Sequence, residues 1–394
     1  MKLLYVCTDL PYPPIHGGLV DMWNRIHALH GLGVELDVVA TVADEPSKED
    51  RRCVESLVRR LILCPRKRGG KGIFSVKPGH CAIRSSLRKV RLEDDYDAVL
   101  LETEFTSEIL LNNSLRAGTS IIRVANDECR FALQTMRSER SWLLKVYFLA
   151  EALRIWLHSA RTLPSVNMLW FISLDERERY DRRTGERLRQ ATAFLPTAVN
   201  LSFLAQPPLA GRQVLFVGNL WAAFNLQAVE WYLSNVHSRL SDIEGYSFAI
   251  TGSTRGQGSK RLEELCARFN NVSLHFDVED TSPCYESSAV FVNPMQRGAG
   301  VKLKTVEAAL RGLPIVSTGV GAEGSGLVDE FHYRRAEDPA QFAEKVRELL
   351  LDKAMAGELV RRTQAYIVEH YDQRKVLARL LEQVQESSLE VRAR

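Results

Sequence analysis

Short apolar runs rich in β-branched residues recur along the chain, and segments long enough to form a helix separate them. Parallel strands need crossover connections of this length, and strands that are buried on both faces are apolar throughout. The pattern occurs twice, which predicts an α/β fold with two parallel sheets. The predicted strands are 2–8, 34–41, 61–64, 98–102, 120–125 and 168–173 in the first half, then 213–217, 247–251, 272–276, 289–292 and 314–317 in the second.

The length of 394 residues also favours two domains, because single cores stop growing at roughly 250 to 300 residues. A proline-containing stretch, 195–211, has the composition of a linker. We therefore predict an N-terminal domain over 1–200 and a C-terminal domain over 201–370. The final segment, 371–394, is predicted to be a helix that could pack back on the first domain.

Three helical segments can be predicted from the sequence. The segment 226–240 places apolar residues on one face, with Asn225 as the expected N-cap. The charged segment 355–390 predicts one or two helices. The apolar helix expected over 142–156 is predicted to pack into a core, because a lipid or cofactor groove is a rarer use of such a face.

Several classes of protein are excluded. Seven scattered cysteines without a C-x-x-C pair favour neither a disulfide framework nor a thiolate metal site, so a cytoplasmic location is expected. His27 and His30 form an H-x-x-H pair without an evident third ligand, so no metal site is predicted there. No secretory signal is expected at the start, and charges interrupt the apolar stretch 142–160, so no transmembrane anchor is expected.

Basic residues are concentrated in one segment. The formal net charge is only +3, yet 51–91 contains 13 Lys and Arg residues against a single acid, Glu55. Like charges at this density predict an anionic partner, although a solvated basic face is the alternative. The low overall charge argues against a nucleic-acid-binding protein.

The most informative stretch is 293–327. A predicted strand ends at Asn293, a glycine-containing loop follows at 297–300, and a helix is expected over 302–310. Glycines let a phosphate approach the backbone, and a helix N-terminus offers unpaired N–H groups and partial positive charge. With basic side chains at the same end, the segment predicts a diphosphate site, and an ordinary strand-turn-helix is the alternative.

Glu307 lies one helical turn beyond Lys304. A carboxylate at this position can accept hydrogen bonds from two vicinal ribose hydroxyls, which predicts nucleotide recognition. An i, i+3 ion pair with Lys304 is the alternative interpretation.

The run GAGVKLKTVEAALRGLPIVSTGVGAEG, 298–324, resembles the donor-site signature of GT-B glycosyltransferases, and specifically of the retaining enzymes grouped as glycosyltransferase family 4. Four further runs resemble that family in order and spacing: LPYPPIHGG, VANDECR, SLDERERY and LFVGNLWAAFNLQAVEWYL. The resemblance implies two Rossmann-like domains that face across a cleft, with the acceptor in the first and the nucleotide sugar mainly in the second. It also implies that neither a metal nor another cofactor is required.

The resemblance further implies a donor site. Glu307 would bind the ribose, the 297–304 region would hold the diphosphate, and Gly17 and Gly18 would offer backbone amides from the first domain. The implied donor-binding residues are Gly17, Gly18, Gly218, Asn219, Arg297, Gly298, Ala299, Gly300, Val301, Lys302, Lys304 and Glu307. Two positions depart from the family: Ala299 stands where a second Glu is common, and Asn219 follows Gly218 where many members carry a basic pair.

Catalytic candidates lie in the first half. Asn126 and Asp127 follow one predicted strand and Glu104 follows another, at the edge of the sheet where ligands gather in open α/β folds. Helix capping or surface charge is the alternative for each of the three.

The function predicted from these features is transfer of a sugar, with retention, from a nucleotide diphosphate sugar to an acceptor hydroxyl. UDP is the default base, and a hexosyl group and a bacterial glycan or glycolipid pathway are expected. The acceptor would be a glycan, a lipid-linked molecule or a small molecule, and 51–91 would hold the protein peripherally on the anionic inner membrane face. A nucleotide-sugar epimerase and a catalytically dead anion- or membrane-binding scaffold are the alternatives.

Overall fold

The computed structural model describes residues 1–15, 17–67, 75–139, 141–184, 191–206, 211–256, 260–298 and 300–392. The chain divides into two compact units. Unit 1 comprises Met1–Ala198 together with Tyr371–Arg394, and unit 2 comprises Val199–His370. The first division lies inside the stretch 195–211.

Each unit is built on a parallel sheet. In unit 1 the described strands follow the order β3-β2-β1-β4-β5-β6-β7, and in unit 2 they follow the order β10-β9-β8-β11-β12-β13. The strands of unit 1 are β1 Lys2–Cys7, β2 Glu35–Val42, β3 Arg60–Pro65, β4 Asp95–Glu102, β5 Arg116–Val124, β6 Met168–Phe171 and β7 Ala191–Phe194. The strands of unit 2 are β8 Gln213–Val217, β9 Ser247–Gly252, β10 Val272–Phe276, β11 Val290–Asn293, β12 Ile315–Ser317 and β13 Arg334–Arg335.

Helices connect these strands. The α-helices are α1 Gly17–Gly31, α2 Lys48–Glu55, α3 Gly79–Ala82, α4 Glu128–Ser138, α5 Trp142–Thr162, α6 Leu174–Thr184, α7 Ala223–Asn235, α8 Lys260–Cys266, α9 Ser282–Glu286, α10 Leu303–Leu310, α11 Gly319–Ala322, α12 Pro339–Leu351, α13 Lys353–Tyr371 and α14 Gln373–Arg392. Short 3-10 helices cover Ser85–Lys89, Glu104–Leu111, Leu163–Ser165, Leu201–Phe203 and His237–Leu240.

The sheet of unit 1 is buried on both faces. Leu3 and Tyr5 of β1 pack into one hydrophobic cluster, and the alternate residues Leu4 and Val6 pack into another. This arrangement explains why β1 is apolar at successive positions. Helix α14 contributes to the first cluster with Val376, Leu377, Leu380, Leu381 and Val384, so the C-terminal segment packs on the first unit.

All eleven predicted strands are confirmed, and the α/β class with them. Strands β7 and β13 were not predicted. The residues of β7 are mostly half-buried, and β13 has only two residues, both arginines. Both lie at one end of their sheet, where burial on two faces no longer imposes an apolar run.

Two helix predictions are wrong. Asn225 does not cap α7, because Ala222 occupies the N-cap and Asn225 lies inside the first turn, where its side chain is buried. Helix α5 packs into a small hydrophobic cluster with α4 only through Ala152 and Ile155, and most of its apolar surface is not covered by a core. Only Glu151, Ala152 and Ile155 of this helix are buried, and several of its large apolar side chains are exposed. None of the helices in the described ranges has an apolar stretch long enough to cross a bilayer.

Candidate functional site

A buried polar network fixes α10 to the carboxyl end of β11 and to α11. The Asn293 amide nitrogen donates to the Thr305 hydroxyl oxygen at 2.9 Å and to the Gly321 carbonyl at 2.8 Å. The Thr305 hydroxyl in turn donates to the Gly321 carbonyl at 2.7 Å. Because Asn293 and Thr305 are fully buried, these bonds are shielded from water and hold the first turn of α10 in place.

The loop before α10 has backbone conformations that favour glycine. Gly298 has φ 141° and Gly300 has φ 74°, in the region where a side chain causes strain. A Cβ on Gly298 would also lie 2.8 Å from the Met295 methyl group. Ala299, between the two glycines, lies outside the described residues.

Lys302 occupies the N-cap position of α10, and its ammonium donates to the Gly300 carbonyl at 2.6 Å. A lysine side chain has no acceptor atom and cannot cap the N–H groups of the first turn. The loop therefore ends in a helix N-terminus with a cation beside it, as an anion site requires. Arg297 is exposed on this loop, and Val301 is half-buried.

Lys304 is a cation near the loop whose pKa is strongly shifted. Its ammonium donates to the Asn225 side-chain oxygen at 2.7 Å and lies 4.3 Å from the centre of the Phe216 ring. Both partners are neutral. Burial, and secondarily the charge of Lys302, lower the pKa of Lys304 to about 7. A negatively charged ligand would therefore find here a cation that lacks full compensation.

Gly218 lies against this lysine. A Cβ at Gly218 would lie 3.2 Å from the Asn225 side chain and 3.3 Å from the Lys304 ammonium, so the backbone approaches the pair closely. Asn219 is exposed, and its carbonyl accepts from the Asn225 amide at 2.9 Å. Strand β8, which ends just before Gly218, pairs with β11, so the two predicted donor segments follow neighbouring strands.

Glu307 pairs with Arg311 and not with Lys304. Its carboxylate accepts from the Arg311 guanidinium at 3.0 Å, while Lys304 turns to Asn225. The predicted alternative of a Lys304–Glu307 ion pair is therefore wrong. Arg311 also lies 3.9 Å from the Phe203 ring centre and 4.6 Å from that of Tyr285, which fixes the guanidinium. The Glu307 side chain remains 36% exposed, so it stays accessible to a ligand hydroxyl.

Gly17 and Gly18 begin α1 in unit 1 and are exposed. Their predicted contact with the donor stays a prediction. One turn further, a buried ion cluster anchors this helix to the sheet. Asp21 binds Arg25 at 2.5 Å and Arg123 at 2.6 Å, and Arg123 binds Glu102 at 2.9 Å.

The three catalytic candidates line one cavity of about 620 Å³ in unit 1. Asn126 and Asp127 lie between β5 and α4, and Glu104 begins the 3-10 helix after β4. Asp127 also caps α4, because its side chain accepts from the Arg130 amide at 2.9 Å. Helix capping, the alternative named for Asp127, is therefore present together with its place in the cavity.

Glu104 has the electrostatics of a functional carboxyl group. The residue is nine-tenths buried, and its Oε2 atom has no hydrogen-bond partner among the described residues. Desolvation raises the pKa of Glu104 to about 7, and the nearby Glu128 and Asp127 carboxylates add to the increase. A carboxyl group with a pKa near neutrality, at the wall of a cavity, is a candidate acid or base.

Part of the positive charge of the basic segment 51–91 is balanced by ion pairs within unit 1, with Glu55 of the segment itself and with Asp9, Asp37, Glu93, Asp94 and Glu108 outside it. Arg68 and Lys71 lie outside the described residues. At least seven of the remaining basic residues form ion pairs: Arg51, Arg59, Arg60, Arg66, Lys77, Arg88 and Arg91. The charge that remains for an anionic partner is therefore lower than the sequence count indicates, and binding of the segment to such a partner stays a prediction.

Sequence reasoning missed three contributors to the unit 2 site: Asn225, Phe216 and Arg311. Asn225 was assigned to a cap because it precedes an apolar period. Phe216 has the pattern of an ordinary buried strand residue. The i, i+4 spacing of Glu307 and Arg311 is a signal that could have been used.

Known proteins resemble this chain over nearly its whole length. A protein of Klebsiella pneumoniae, described as an uncharacterized 44.6 kDa protein in the cps region, is 27% identical over 97% of this chain and 99% of its own. Sucrose-phosphate synthase from Thermosynechococcus elongatus superimposes with a TM-score of 0.68 at 14% identity, covering 98% of this chain and 99% of that one. Alr3699/HepE of Anabaena, solved in complex with UDP and glucose, gives a TM-score of 0.62 at 11% identity, covering 98% of this chain and all of that one.

A sequence family also matches. The family described as Glycosyl transferases group 1 matches residues 211–352, which include β8, β11 and α10 with the lysines and Glu307 described above. This match and the structural likenesses confirm the predicted fold class and the resemblance on which it rested. The chain therefore has the GT-B fold of these glycosyltransferases, and its residues 211–352 match the family described as Glycosyl transferases group 1.

Proposed function

We propose that this protein transfers a hexosyl group, with retention of anomeric configuration, from a UDP-sugar to an acceptor hydroxyl in bacterial glycan or glycolipid biosynthesis. The observation that carries the proposal is Lys304, a partly buried cation with neutral partners beside a helix N-terminus. A diphosphate is the ligand that completes this arrangement. The complex of the Anabaena protein with UDP and glucose supports UDP as the nucleotide.

Different residues of the donor site would bind different parts of the nucleotide sugar. Lys302, Lys304, Arg297 and the backbone from Gly298 to Val301 would hold the diphosphate, with Ala299 contributing its amide. Glu307 would accept hydrogen bonds from the ribose hydroxyls, with Arg311 fixing the carboxylate. Gly218 and Asn219 would let the nucleotide approach the backbone next to Lys304, because a side chain at Gly218 would displace the ammonium.

The reaction exchanges one bond for another. The bond between the anomeric carbon and the diphosphate oxygen breaks, and a bond from the acceptor oxygen to the same carbon forms. The acceptor hydroxyl would pass its proton to the Glu104 carboxylate, and UDP would depart with the electron pair of the broken bond. Charge grows on the departing diphosphate, where the cations of unit 2 would stabilise it.

Glu104, Asn126 and Asp127 would act on the acceptor in unit 1. Glu104 has a buried oxygen without a partner among the described residues and a pKa near neutrality, so it would accept the hydrogen bond of the acceptor hydroxyl. Asn126 and Asp127 would orient the acceptor at the same wall of the cavity.

The cations of the donor site supply the charge neutralisation that a metal ion supplies in other transferases, so we propose that neither a metal nor another cofactor is needed. Transfer activity should then persist in EDTA. A cytoplasmic location, where nucleotide sugars are available, belongs to the same proposal, and all seven cysteines carry free thiols.

Binding of UDP by calorimetry, followed by product analysis, tests the function. Wild-type protein should bind UDP more tightly than GDP. Lys304→Met should lower the affinity for UDP by tenfold or more, which corresponds to about 1.4 kcal/mol. Lys345→Met is the matched control, because Lys345 lies on α12 and pairs with Glu330 at 3.4 Å. Conversion of the donor alone into another nucleotide sugar would instead identify an epimerase. Failure to bind any nucleotide would identify a scaffold without activity.

A further inference from the structure

The exposed apolar face of α5 is unusual for a helix on the surface of a protein in water. Trp142 is 70% exposed, Leu153 is 57% exposed and Trp156 is 53% exposed. Other large side chains of the helix are exposed as well: Leu143, Leu144, Val146, Leu149 and Leu157. Phe131 of the preceding helix α4 is exposed as well. A contiguous apolar surface of this kind marks a site of interaction with another apolar body.

The same face borders the cavity of unit 1. Trp156 and Leu133 line the cavity, and Trp156 is at the same time part of the exposed face of α5. The apolar surface therefore continues from the outer side of the helix to the wall of the cavity. A ligand that occupies both must have a polar part of limited size and a long apolar part.

Charges in the cavity are arranged in two groups. Four carboxyl groups lie near the ends of the strands: Glu104, Asp127, Glu128 and Glu176. Four arginines lie along the helices: Arg130 and Arg137 on α4, and Arg179 and Arg183 on α6. Arg137 and Arg183 stand near the C-terminal ends of α4 and α6, so the lining offers acceptors to a hydroxyl near the strand ends and cationic donors to an anion further along the helices.

Several of these charged groups already have partners within the protein, Arg130, Arg179 and Glu176 among them. Asp127 caps α4, and the Asp127 amide donates to Glu176 at 3.2 Å, so these two carboxylates already accept backbone bonds. Desolvation raises the pKa of Glu128, and it brings the pKa of Glu104 to about 7, so part of the negative charge of Glu104 is absent at neutral pH. Arg137 and Arg183 are exposed, and they can reach an incoming anion.

A second copy of this chain is a poorer occupant for the face. The segment from α4 to α5, 128–162, carries six basic residues against three acidic ones. Two copies joined through this segment would bring like charges together, whereas the same charge attracts an anionic lipid surface. A helix with apolar residues on one face and basic residues beside them is typical of a segment that lies in a membrane interface.

We propose that the cavity of unit 1 binds the phosphate head group of a lipid, and that the exposed face of α5 lies against the lipid chain and the membrane interface. That this lipid is the sugar acceptor rests on the proposed function. That the cavity of unit 1 binds the lipid does not depend on it. The lipid-linked class is thereby favoured over a free sugar, and α5 replaces 51–91 as the segment that meets the membrane.

Three small probes test the cavity in the full chain: farnesyl phosphate, farnesol and inorganic phosphate, the first below its critical micelle concentration. Farnesyl phosphate should bind at least about tenfold more tightly than either of the others, because only it carries both parts. The double variant Arg137→Ala/Arg183→Ala should weaken farnesyl phosphate by about tenfold or more and leave farnesol unchanged. The control is Arg91→Ala, whose side chain is 87% exposed in the basic segment. Equal binding of inorganic phosphate, or an equal loss in the control, would overturn the proposal.

Vesicle cosedimentation tests the helix face. Wild-type protein should bind phosphatidylcholine vesicles that contain phosphatidylglycerol more strongly than vesicles that lack it. The double variant Leu149→Glu/Leu153→Glu should lose most of this binding, whereas Leu351→Glu, at a 54% exposed leucine of α12, should keep it. A variant that binds vesicles like the wild type, or that only converts a dimer into a monomer, contradicts the proposal.

Calorimetry with UDP separates this inference from the proposed function. Both double variants should bind UDP as the wild type does, which also shows that they are folded. If wild-type protein binds farnesyl phosphate but no nucleotide, the proposed function fails and the lipid site stands. If it binds UDP but neither farnesyl phosphate nor anionic vesicles, the lipid site fails and the proposed function stands.

Discussion

Binding of UDP should be coupled to proton uptake by Lys304. In the unliganded protein burial and Lys302 lower the pKa of Lys304 to about 7, so about half of the molecules carry a neutral amine at pH 7. A bound diphosphate adds negative charge next to this amine and raises its pKa. The protonated form is therefore favoured in the complex, and the affinity for UDP must fall as the pH rises above 7.

The magnitude follows from the two pKa values. If the bound diphosphate returns Lys304 to the ordinary lysine pKa of about 10.4, the dissociation constant should rise about fifty-fold between pH 7 and pH 9. Uptake should be about 0.5 proton per UDP at pH 7 and about 0.9 at pH 8. The second ionisation of a phosphate group lies near pH 6, so the nucleotide itself contributes little at pH 8.

Isothermal titration calorimetry in buffers of different ionisation enthalpy measures this uptake directly. The slope of the observed enthalpy against the buffer enthalpy gives the number of protons. Lys304→Met should bind more weakly and show almost no uptake at pH 8, and Lys345→Met should behave as the wild type. Uptake near zero in the wild type at pH 8, or undiminished uptake in Lys304→Met, would refute the reasoning.

Three further predictions concern other side chains. Glu307→Ala should weaken the binding of UDP by about 1.5 to 3 kcal/mol, because the ribose hydroxyls lose a charged acceptor. Unchanged affinity for UDP in a calorimetric titration would contradict this role. Glu104→Gln should lower kcat/KM by about 10²- to 10⁴-fold. In the wild type, protonation of Glu104 should lower the activity as the pH falls through about 7, and in Glu104→Gln this loss of activity should be absent. A variant with the wild-type pH–rate profile would exclude Glu104 as the base. Leu377→Ala should lower the free energy of unfolding by about 2 to 5 kcal/mol in urea, since the side chain is fully buried in unit 1, whereas Leu351→Ala at an exposed position should change it little.

The strands could be predicted from the sequence because burial on both faces leaves an unbroken apolar run, as in Leu3–Cys7 of β1. Helix α5 could not be predicted in the same way. An apolar helix looks the same in sequence whether protein or another apolar body covers it, and only the exposure of Trp142 and Trp156 separates the two cases. The charge of 51–91 was misleading for a related reason: its partners, such as Asp37, Asp94 and Glu108, are distant in sequence.

The donor segment could be predicted because the residues that form it are close together in the sequence. Gly298, Gly300 and Lys302 act through the backbone of one loop and one helix turn, and these are adjacent in sequence. The partners of Lys304 were not predictable, since Asn225 is 79 residues away and reaches the ammonium only because β8 and β11 are neighbours. The cavity around Glu104 likewise depends on α4, α5 and α6 meeting over the sheet.

The position of α14 bears on how the chain is made. During translation the ribosome releases the strands of unit 1 first, then the whole of unit 2, and only afterwards Val376, Leu377 and Leu381, which complete the core against Met22 and Ile26 of α1. Until α14 has been synthesised, the nascent first unit exposes the apolar surface of α1 that α14 later covers. Unit 2 comprises Val199–His370, so all of its residues are synthesised before α14, and it can complete its fold before unit 1 does. This chain should therefore reverse the usual order, in which the N-terminal domain folds before the C-terminal one.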